Sequence, residues 1–394
     1  MKLGDIADIV PGFAFSEVYQ GHTNLPTPFI KVSDFARAQN SWIHDAANTV
    51  DDALLKTMRA KSYPPGTIIF PKVGGALLTN KRARIAVRSS FDNNVMGIIP
   101  RGVDGDYLYW FMCQFDMAQL ANTQALPSVR ASDVAQIDIP VPEKEEQRRI
   151  AARLKAQLAE VDTARQAVQA GLRDADALRQ RLLQHAFDGV ENSPRKKLSS
   201  VAQINPRRAS ISRSDYSPTS FVPMAAVDET FGEVTQILAQ PYSKLKKGYT
   251  YFENGDVIFA KITPCMQNGK HAIVRNLIDG FGFGSTEFHV IRPSEEIIPE
   301  WIHYYLRRQE TLGAAIKTFT GAVGQQRVPP AFLENLDIPV PLPDQQRRFA
   351  ARLKAQLAEA DTLRTALQRQ QRELDALPQR ILAQAFDGSM ALLS

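Results

Sequence analysis

The sequence predicts a mixed α/β chain of the α+β kind, built twice. Two globular domains alternate with two long helices that pair with each other. Three observations predict this. Residues 139–189 and 338–388 align without a gap at an offset of 199, with 33 of 51 positions identical. A period near 200 is too long for a solenoid and marks a duplicated half-protein. Both copies read as helix, while the blocks before them differ from each other and carry short β-branched and aromatic runs bounded by Gly, Pro or Asn. The expected division is a first globular domain at 1–138, a helical segment at 139–194, a second globular domain at 195–337 and a second helical segment at 338–394.

The elements follow in chain order. KLGDIADIVP at 2–11 is echoed by KLSSVAQINP at 197–206, and PGTIIFPKV at 65–73 by NGDVIFAKI at 254–262. TIIF, VIFA, HAIV and EFHVI are strands by composition. DYLYWFMCQFDMAQL at 106–120 and EWIHYYLRRQETLGAAI at 300–316 are amphipathic helices with aromatic core faces. Each IPVP is an extended exit, because proline fixes φ and restrains its predecessor. The first long helix is expected to start near Glu143, with Glu145 and Glu146 favouring the positive end of the helix dipole. It is expected to end near Phe187-Asp188-Gly189, where Gly supplies the left-handed cap. Asp344 and Phe386-Asp387-Gly388 do the same for the second. About 45 residues give a rod of roughly 65 Å.

Such a rod needs a partner. A four-three spacing runs Leu154, Leu158, Val161, Arg165, Val168, Leu172, Ala175, Arg179, Leu182. Its counterpart is Leu353, Leu357, Ala360, Arg364, Leu367, Gln371, Leu374, Pro378, Ile381. Both are heptad seams interrupted by polar residues, so helix-on-helix pairing between the copies is the preferred reading over packing on each copy's own domain. Arg165 and Arg364 hold the same seam position and either fix register or snorkel to solvent. Pro378 stands where the first copy has Arg179, and is expected to kink or break the second helix.

Composition bounds the function. The chain has 394 residues, 44% hydrophobic and 23% charged, with a net charge of +5. That suits two to four soluble units with real cores. No run of eighteen apolar residues is present, so no membrane span is expected, and the N-terminus lacks the apolar stretch of a signal peptide. Cys113 and Cys265 lie far apart, which excludes a disulfide framework and a CxxC zinc site and fits a cytoplasmic protein.

A search for catalytic chemistry finds none. There is no GxxxxGK[ST] phosphate loop, and GFGFG at 280–284 lacks the strand-turn-helix context of a nucleotide fingerprint. Asn205-Pro206-Arg207-Arg208 lacks the second proline and the aromatic residue of an adenine-methylating motif, and reads as a turn. The six histidines form no HxxxH or HExxH pair, so no metal site is expected. Asp256 and Lys261 suggest a nuclease pair, but Thr67 replaces the acid in the first half, while Lys72 retains the lysine.

Charge is clustered rather than general. Residues 1–138 hold thirteen basic and thirteen acidic residues, and 195–337 hold seventeen and fourteen. One cluster is Lys72, Lys81, Arg82, Arg84 and Arg88. Another is Arg195, Lys196, Lys197, Arg207 and Arg208. The third is Lys244, Lys246, Lys247, Lys261 and Lys270. Such groups are either solvated faces or phosphate contacts, which orient a protein on DNA without reading it. Base reading needs polar side chains at groove edges. The loops LPSVRASD, with Arg130, and GAVGQQRVPP, with Gln325, Gln326 and Arg327, supply candidates.

Two divergent domains, each followed by the same IPVP–QRR–helix–AFDG segment, with GTIIFPK and GDVIFAK inside and GQQRVP leading into the second LDIPVP, form an order that resembles the specificity subunit of Type I restriction-modification systems. The resemblance spans essentially the whole chain. It implies that each globular block is a target recognition domain reading one half of a bipartite DNA site. It implies that the two helices pair as an antiparallel coiled coil whose length sets the unread spacer. It further implies no catalysis and no cofactor in this chain. Double-stranded DNA, two modification subunits and ATP-dependent restriction subunits are the implied partners, and S-adenosylmethionine, ATP and Mg reside on those subunits. The competing readings are a scaffold that binds no nucleic acid and an enzyme with an unrecognised site.

Overall fold

The computed structural model of the chain describes residues 1–391 except 123–125, 191–192, 209 and 323–324, and the backbone alone at 388–391. It divides into two compact units, Met1–Val168 with Gln370–Ser394, and Gln169–Arg369. Each unit therefore holds one globular domain and a part of both long helices.

In the first unit the strands Ala7–Pro11, Val95–Pro100, Ile68–Pro71, Ala83–Ile85 and Trp42–Ile43 form one sheet in that order. All neighbours are antiparallel except the last pair. A smaller sheet orders Thr49–Val50, Thr27–Ile30 and Ser90–Phe91. In the second unit Ala202–Ile204, Phe288–Pro293, Val257–Ala260 and His271–Ile273 form an antiparallel sheet. These four strands repeat the order of the first four in the first unit. The weak sequence echoes at 2–11 and 65–73 thus mark equivalent strands. The second sheet here orders Leu238–Pro241, Pro218–Val222, Phe281–Gly284 and Thr250–Glu253. The GFGFG run is its third strand. Gly284 is needed there because a Cβ would sit 2.6 Å from the Val222 carbonyl oxygen.

Both predicted domain helices are split. The first is Gly105–Gln114, followed by a 3₁₀ turn at Met117–Leu120. Extended backbone at Phe115 stops it, and the Asp116 carboxylate accepts from Ala118 N to start the turn. The second is Pro299–Leu306 and Gln309–Ile316, parted by extended backbone at Arg308.

The long helices run Lys144–His185 and Pro343–Ala391. The first ends two residues before Phe187. The second passes Gly388 without capping, contrary to expectation. The residues that follow explain the difference: Pro194 lies beyond the first end, whereas Met390 and Ala391 are good helix formers. Nor does Pro378 break the second helix, which stays helical on both sides. Proline removes the donor that would reach the Leu374 carbonyl. The adjacent Asp375 carbonyl accepts from Arg165 Nη2 at 3.2 Å instead. Leu382 and Phe386 are buried beyond the proline and hold the last turns in place.

Within each unit the helix segments pair antiparallel, and one arginine–aspartate contact recurs. In the first unit Arg165 Nε lies 3.2 Å from Asp375 Oδ1. In the second, Arg364 Nε donates to Asp176 Oδ1 at 2.8 Å. The offset of 199 carries one pair onto the other. The two seam arginines therefore set register by pairing across the helices. Leu154, Val161, Val168, Leu353 and Leu357 are buried, and Leu158, Leu172, Leu182, Leu367, Leu374 and Ile381 are half-buried. Near the ends the buried stripe moves on by one residue, to Leu183 and Leu382, where the helices meet the globular cores.

Two devices tie helix to domain, and both occur twice. Gln147 and Gln346 are almost wholly buried. Gln147 Oε1 accepts from Asp104 N at 2.7 Å while its Nε2 donates to the Pro142 carbonyl. Gln346 does the same with Ile298 N and the Pro341 carbonyl. Each glutamine joins the start of a long helix to the start of a domain helix. The Tyr107 hydroxyl and the Trp301 Nε1 likewise donate to the carbonyls of Pro140 and Pro339.

The second device is the AFDG phenylalanine. Phe386 packs edge-on against Tyr107 and Phe111 of the first globular domain, at 5.4 Å from each. Phe187 packs on Trp301, Tyr305 and Phe349 in the second unit. Each helix thus ends in the core of the domain that the other helix follows in sequence.

Candidate nucleic-acid interface

Six of the sequence candidates, Lys72, Arg130, Lys261, Gln325, Gln326 and Arg327, gather at one place in each unit, where the strand carrying the repeated lysine meets the loop leading to the long helix. In the first unit Val129 N donates to the Lys72 carbonyl at 3.1 Å, and Gly74 N to the Pro127 carbonyl at 2.7 Å. In the second, Val328 N donates to the Lys261 carbonyl at 2.9 Å, and Thr263 N to the Gln326 carbonyl at 3.0 Å. Lys72 therefore sits beside the Arg130 loop, and Lys261 beside Gln325, Gln326 and Arg327. Residues 189 and 199 apart converge on the same local geometry.

Lys72 and Lys261 are half-buried and their amines donate to no described residue; Lys81, Arg130 and Gln325 are exposed. The side chains of Arg130, Gln325 and Gln326 also have no partner among the described residues. Arg327 is engaged. Its Nε and Nη2 each donate to a Glu287 carboxylate oxygen at 2.9 Å. That pairing, with Lys261 adding its charge, holds Glu287 below the usual carboxylate range. A fork held this way is oriented before any ligand arrives.

Two candidates are corrected, and a third is partly engaged. Arg82 is buried, and its guanidinium donates to the carbonyls of Met112, Lys81 and Phe115 and to Asn80. Burial pulls it down to about 10. Arg84 is buried between the rings of Trp42 and Tyr109, 4.1 and 4.3 Å from their centroids, and pairs with Asp106. Lys270 donates to the Val227 carbonyl at 3.0 Å. Arg82 and Arg84 are occupied and structural, while Lys270 is half-buried and spends one of its three donors on Val227. Arg88 pairs with Asp52. The linker cluster is also largely spent: Arg195 reaches Tyr305 and the Asp337 carbonyl, Lys196 pairs with Glu296, and Arg208 packs over Tyr242 and Phe283. Asp256 is buried in a two-point contact with Arg292, which makes it a turn anchor and not a metal ligand.

One part of the surface was not legible in sequence. Lys244, Lys247, Tyr249, Ser285 and Thr286 line an open cleft of about 580 Å³. Its Ser285–Glu287 turn is continuous with the Lys261 strand, since Lys261 N donates to the Glu287 carbonyl. The lysines stood in a charge cluster, but Tyr249 and the turn are brought to them only by the second sheet. The resulting face combines cations, a partly exposed ring and hydroxyls, the chemistry that suits phosphate contact and groove reading. Among the described residues no group of three or more His, Cys, Asp or Glu is placed to hold a metal. No described helix is long and apolar enough to cross a membrane.

His271 and His303 lie under this domain, both buried. His271 stacks on Phe259 at 4.2 Å, and burial, with the Arg307 charge, lowers it to about 3. The unfolded chain takes up a proton there below about 6.5, while the folded chain refuses it. Stability of the second unit is therefore expected to be flat above that pH and to fall as pH drops toward 3. The slope is about 1.4 kcal/mol per pH unit for one such proton. Urea unfolding between pH 4 and 8 checks this, and His271→Phe, which keeps the stacked ring, is expected to make the acid limb shallower.

Residues 1–168 and 191–370 each match the family of the Type I restriction modification DNA specificity domain. The specificity subunit of the Escherichia coli Type I restriction enzyme EcoAI is 37% identical over 167 residues, which are 42% of this chain and 28% of that subunit. That of EcoEI, also from Escherichia coli, is 39% identical over 153 residues, 39% of this chain and 25% of that subunit. These matches thus span about a quarter of the length of the curated relatives. Among solved structures, the HsdS subunit from Thermoanaerobacter tengcongensis superimposes with a TM-score of 0.60 at 20% identity, covering 99% of this chain and 96% of that one. A chain from work on complex assembly and conformational transition of the type I R-M system gives 0.71 at 18% identity, covering 98% and 96%. At these identities the superpositions speak for the fold alone.

Proposed function

This chain belongs to the family of Type I restriction modification DNA specificity domains, and we propose that it is the sequence-recognition subunit of a Type I restriction-modification complex. Each globular domain reads one half of a bipartite double-stranded DNA site. The observation that carries this reading is the duplicated interface: a half-buried lysine at a strand end, with no hydrogen-bond or ion-pair partner among the described residues, beside a polar-tipped loop, once in each unit. One reader of a few base pairs gains little, since a mismatch costs about 1–3 kcal/mol. Two linked readers add their discrimination and raise each other's effective concentration. Because each long helix contributes to both units, helix length fixes the number of residues between the readers and sets the unread spacer.

The chain itself is non-catalytic in this reading. Modification subunits carrying S-adenosylmethionine dock on it and methylate adenine, and restriction subunits use ATP and Mg. The name of the curated relatives, specificity subunits of Type I restriction enzymes, supports this. A reducing cytoplasm suits the two free cysteines.

The test is a genome-wide map of methylated adenine in cells with this gene and its modification partner, and in cells lacking only this gene. A gapped two-part motif that vanishes with the gene is the expected result; a map unchanged by its loss overturns the reading. At the level of residues, Lys261→Ala is expected to weaken DNA binding by the assembled methyltransferase equally for all sequences. It should also reduce the slope of log K against log salt by about 0.9, the loss of one phosphate contact. A change confined to one base position would instead make Lys261 a base reader.

A further inference from the structure

The two units carry the same groove, and in one of them a component is missing. In the second unit a cavity of about 440 Å³ lies between the domain helix Pro299–Leu306 and the second long helix. Lys354, Leu357, Ala358 and Asp361 form its helix wall. In the first unit a cavity of about 650 Å³ lies between the helix Gly105–Gln114 and the first long helix. Its helix wall is Lys155, Leu158, Ala159 and Asp162, the same four residues displaced by 199.

Arg179 fills the groove of the second unit. It is 6% exposed, its guanidinium lies 6.0 Å from the centre of the Phe231 ring, and its Nε donates to Asp361 Oδ1 at 3.0 Å. The position equivalent to Arg179 in the first unit is Pro378, which lines the larger cavity. Proline neither crosses the groove nor donates. The counterpart of Asp361, Asp162, therefore has no cation from the facing helix. Its nearest is Arg165 on its own helix at 3.5 Å, and Arg165 is already turned to Asp375. Asp162 is 69% exposed at its side chain, against 21% for Asp361. Apolar walls remain: Leu158, Trp110, Pro378 and Leu382 line the cavity with Asp162, beside Lys155, Arg84 and Arg165.

We propose that the groove of the first unit is a binding site for an arginine side chain presented by a partner polypeptide, seated as Arg179 is seated in the second unit. The apolar walls take the methylene stem, and Asp162 accepts from the guanidinium. The occupant is an arginine on a polypeptide because that is what the duplicate groove holds. Aliphatic stem and planar fork fit the apolar walls and Asp162, while Arg84 and Arg165 of the same lining are engaged by Asp106 and Asp375. The site is separate from the DNA-facing loops and does not depend on them.

The experiment titrates the full chain with acetyl-Gly-Arg-Gly-amide, following the fluorescence of the groove tryptophans and the heat of binding. The citrulline peptide and free agmatine are the comparison ligands. The expected result is saturable binding of the arginine peptide at millimolar concentration, at least tenfold tighter than the citrulline peptide. Asp162→Asn should abolish it, and Glu160→Gln, an exposed acid nearby, should leave it unchanged. A second measurement does not need the ligand. Pro378→Arg is expected to raise the melting temperature by about 2–4 °C more than Pro378→Ala, which restores the helix hydrogen bond alone, and to close the site, and Asp162→Asn should cancel that difference. No saturable binding, binding indifferent to Asp162→Asn, or agmatine binding without the arginine peptide would each overturn the proposal.

Discussion

Phe386→Ala is expected to lower the stability of the first unit by about 3–5 kcal/mol, the usual cost of emptying a buried phenylalanine site. Phe386 is 2% exposed, on a helix whose preceding turns are largely polar outside the seam. The ring meets Tyr107 and Phe111 edge-on, so its loss removes both apolar area and two aromatic contacts. The cavity cannot be refilled by Leu382, which is already buried in the same cluster. Urea unfolding followed by the fluorescence of Trp42 and Trp110, both in this unit, should show a lower midpoint at unchanged slope. Leu363→Ala, at a residue 48% exposed, should move the midpoint little. Deleting residues from 386 onward should reproduce the loss, because the first globular domain lacks a finished core without the chain's last helix.

Replacing residues 1–138 by another recognition domain is expected to change one half of the target completely and leave the other half untouched. The two domains share a sheet order but few surface residues, whereas the parts that join them to the helices recur: Gln147 and Gln346, the Tyr107 and Trp301 donors, and Phe386 and Phe187. An incoming domain that keeps an aromatic donor at position 107 and a core that accepts Phe386 should therefore seat. Methylome sequencing of cells carrying the chimera reads the result. Change in both half-sites would mean that the domains do not read independently. With the wrong half-site, two or three mismatches at about 1–3 kcal/mol each should cost about thirtyfold or more in affinity.

Much of the architecture was legible because its signals are local or repeated. The gapless repeat at 139–189 and 338–388 marked the duplication, the four-three spacing marked the helix seam, and β-branched runs marked the central strands. The arginines at 165 and 364 stood out as paired positions, though not their aspartate partners, which lie about 190–210 residues away. Boundaries were less legible. The unbroken helix at Pro378 depends on Arg165 and on the burial of Leu382 and Phe386, whereas the splits at Phe115 and Arg308 and the uncapped Gly388 turn on local backbone and neighbouring residues. The candidate interface was half legible: the lysine strands and polar loops were found, but their adjacency is tertiary. Arg82 and Arg84 looked like surface cations because charge in a sequence carries no record of burial.

By itself, then, the sequence determined the duplication, the family resemblance and the helical nature of both repeats. Periodicity, propensity and self-identity need no third dimension. Only the tertiary structure decided which cations are free, which domain each AFDG phenylalanine completes, and that one of two equivalent grooves lacks its arginine. Those properties arise from contacts between residues up to about 280 positions apart. A long helix brings such residues together by packing, and packing leaves no local trace in the chain.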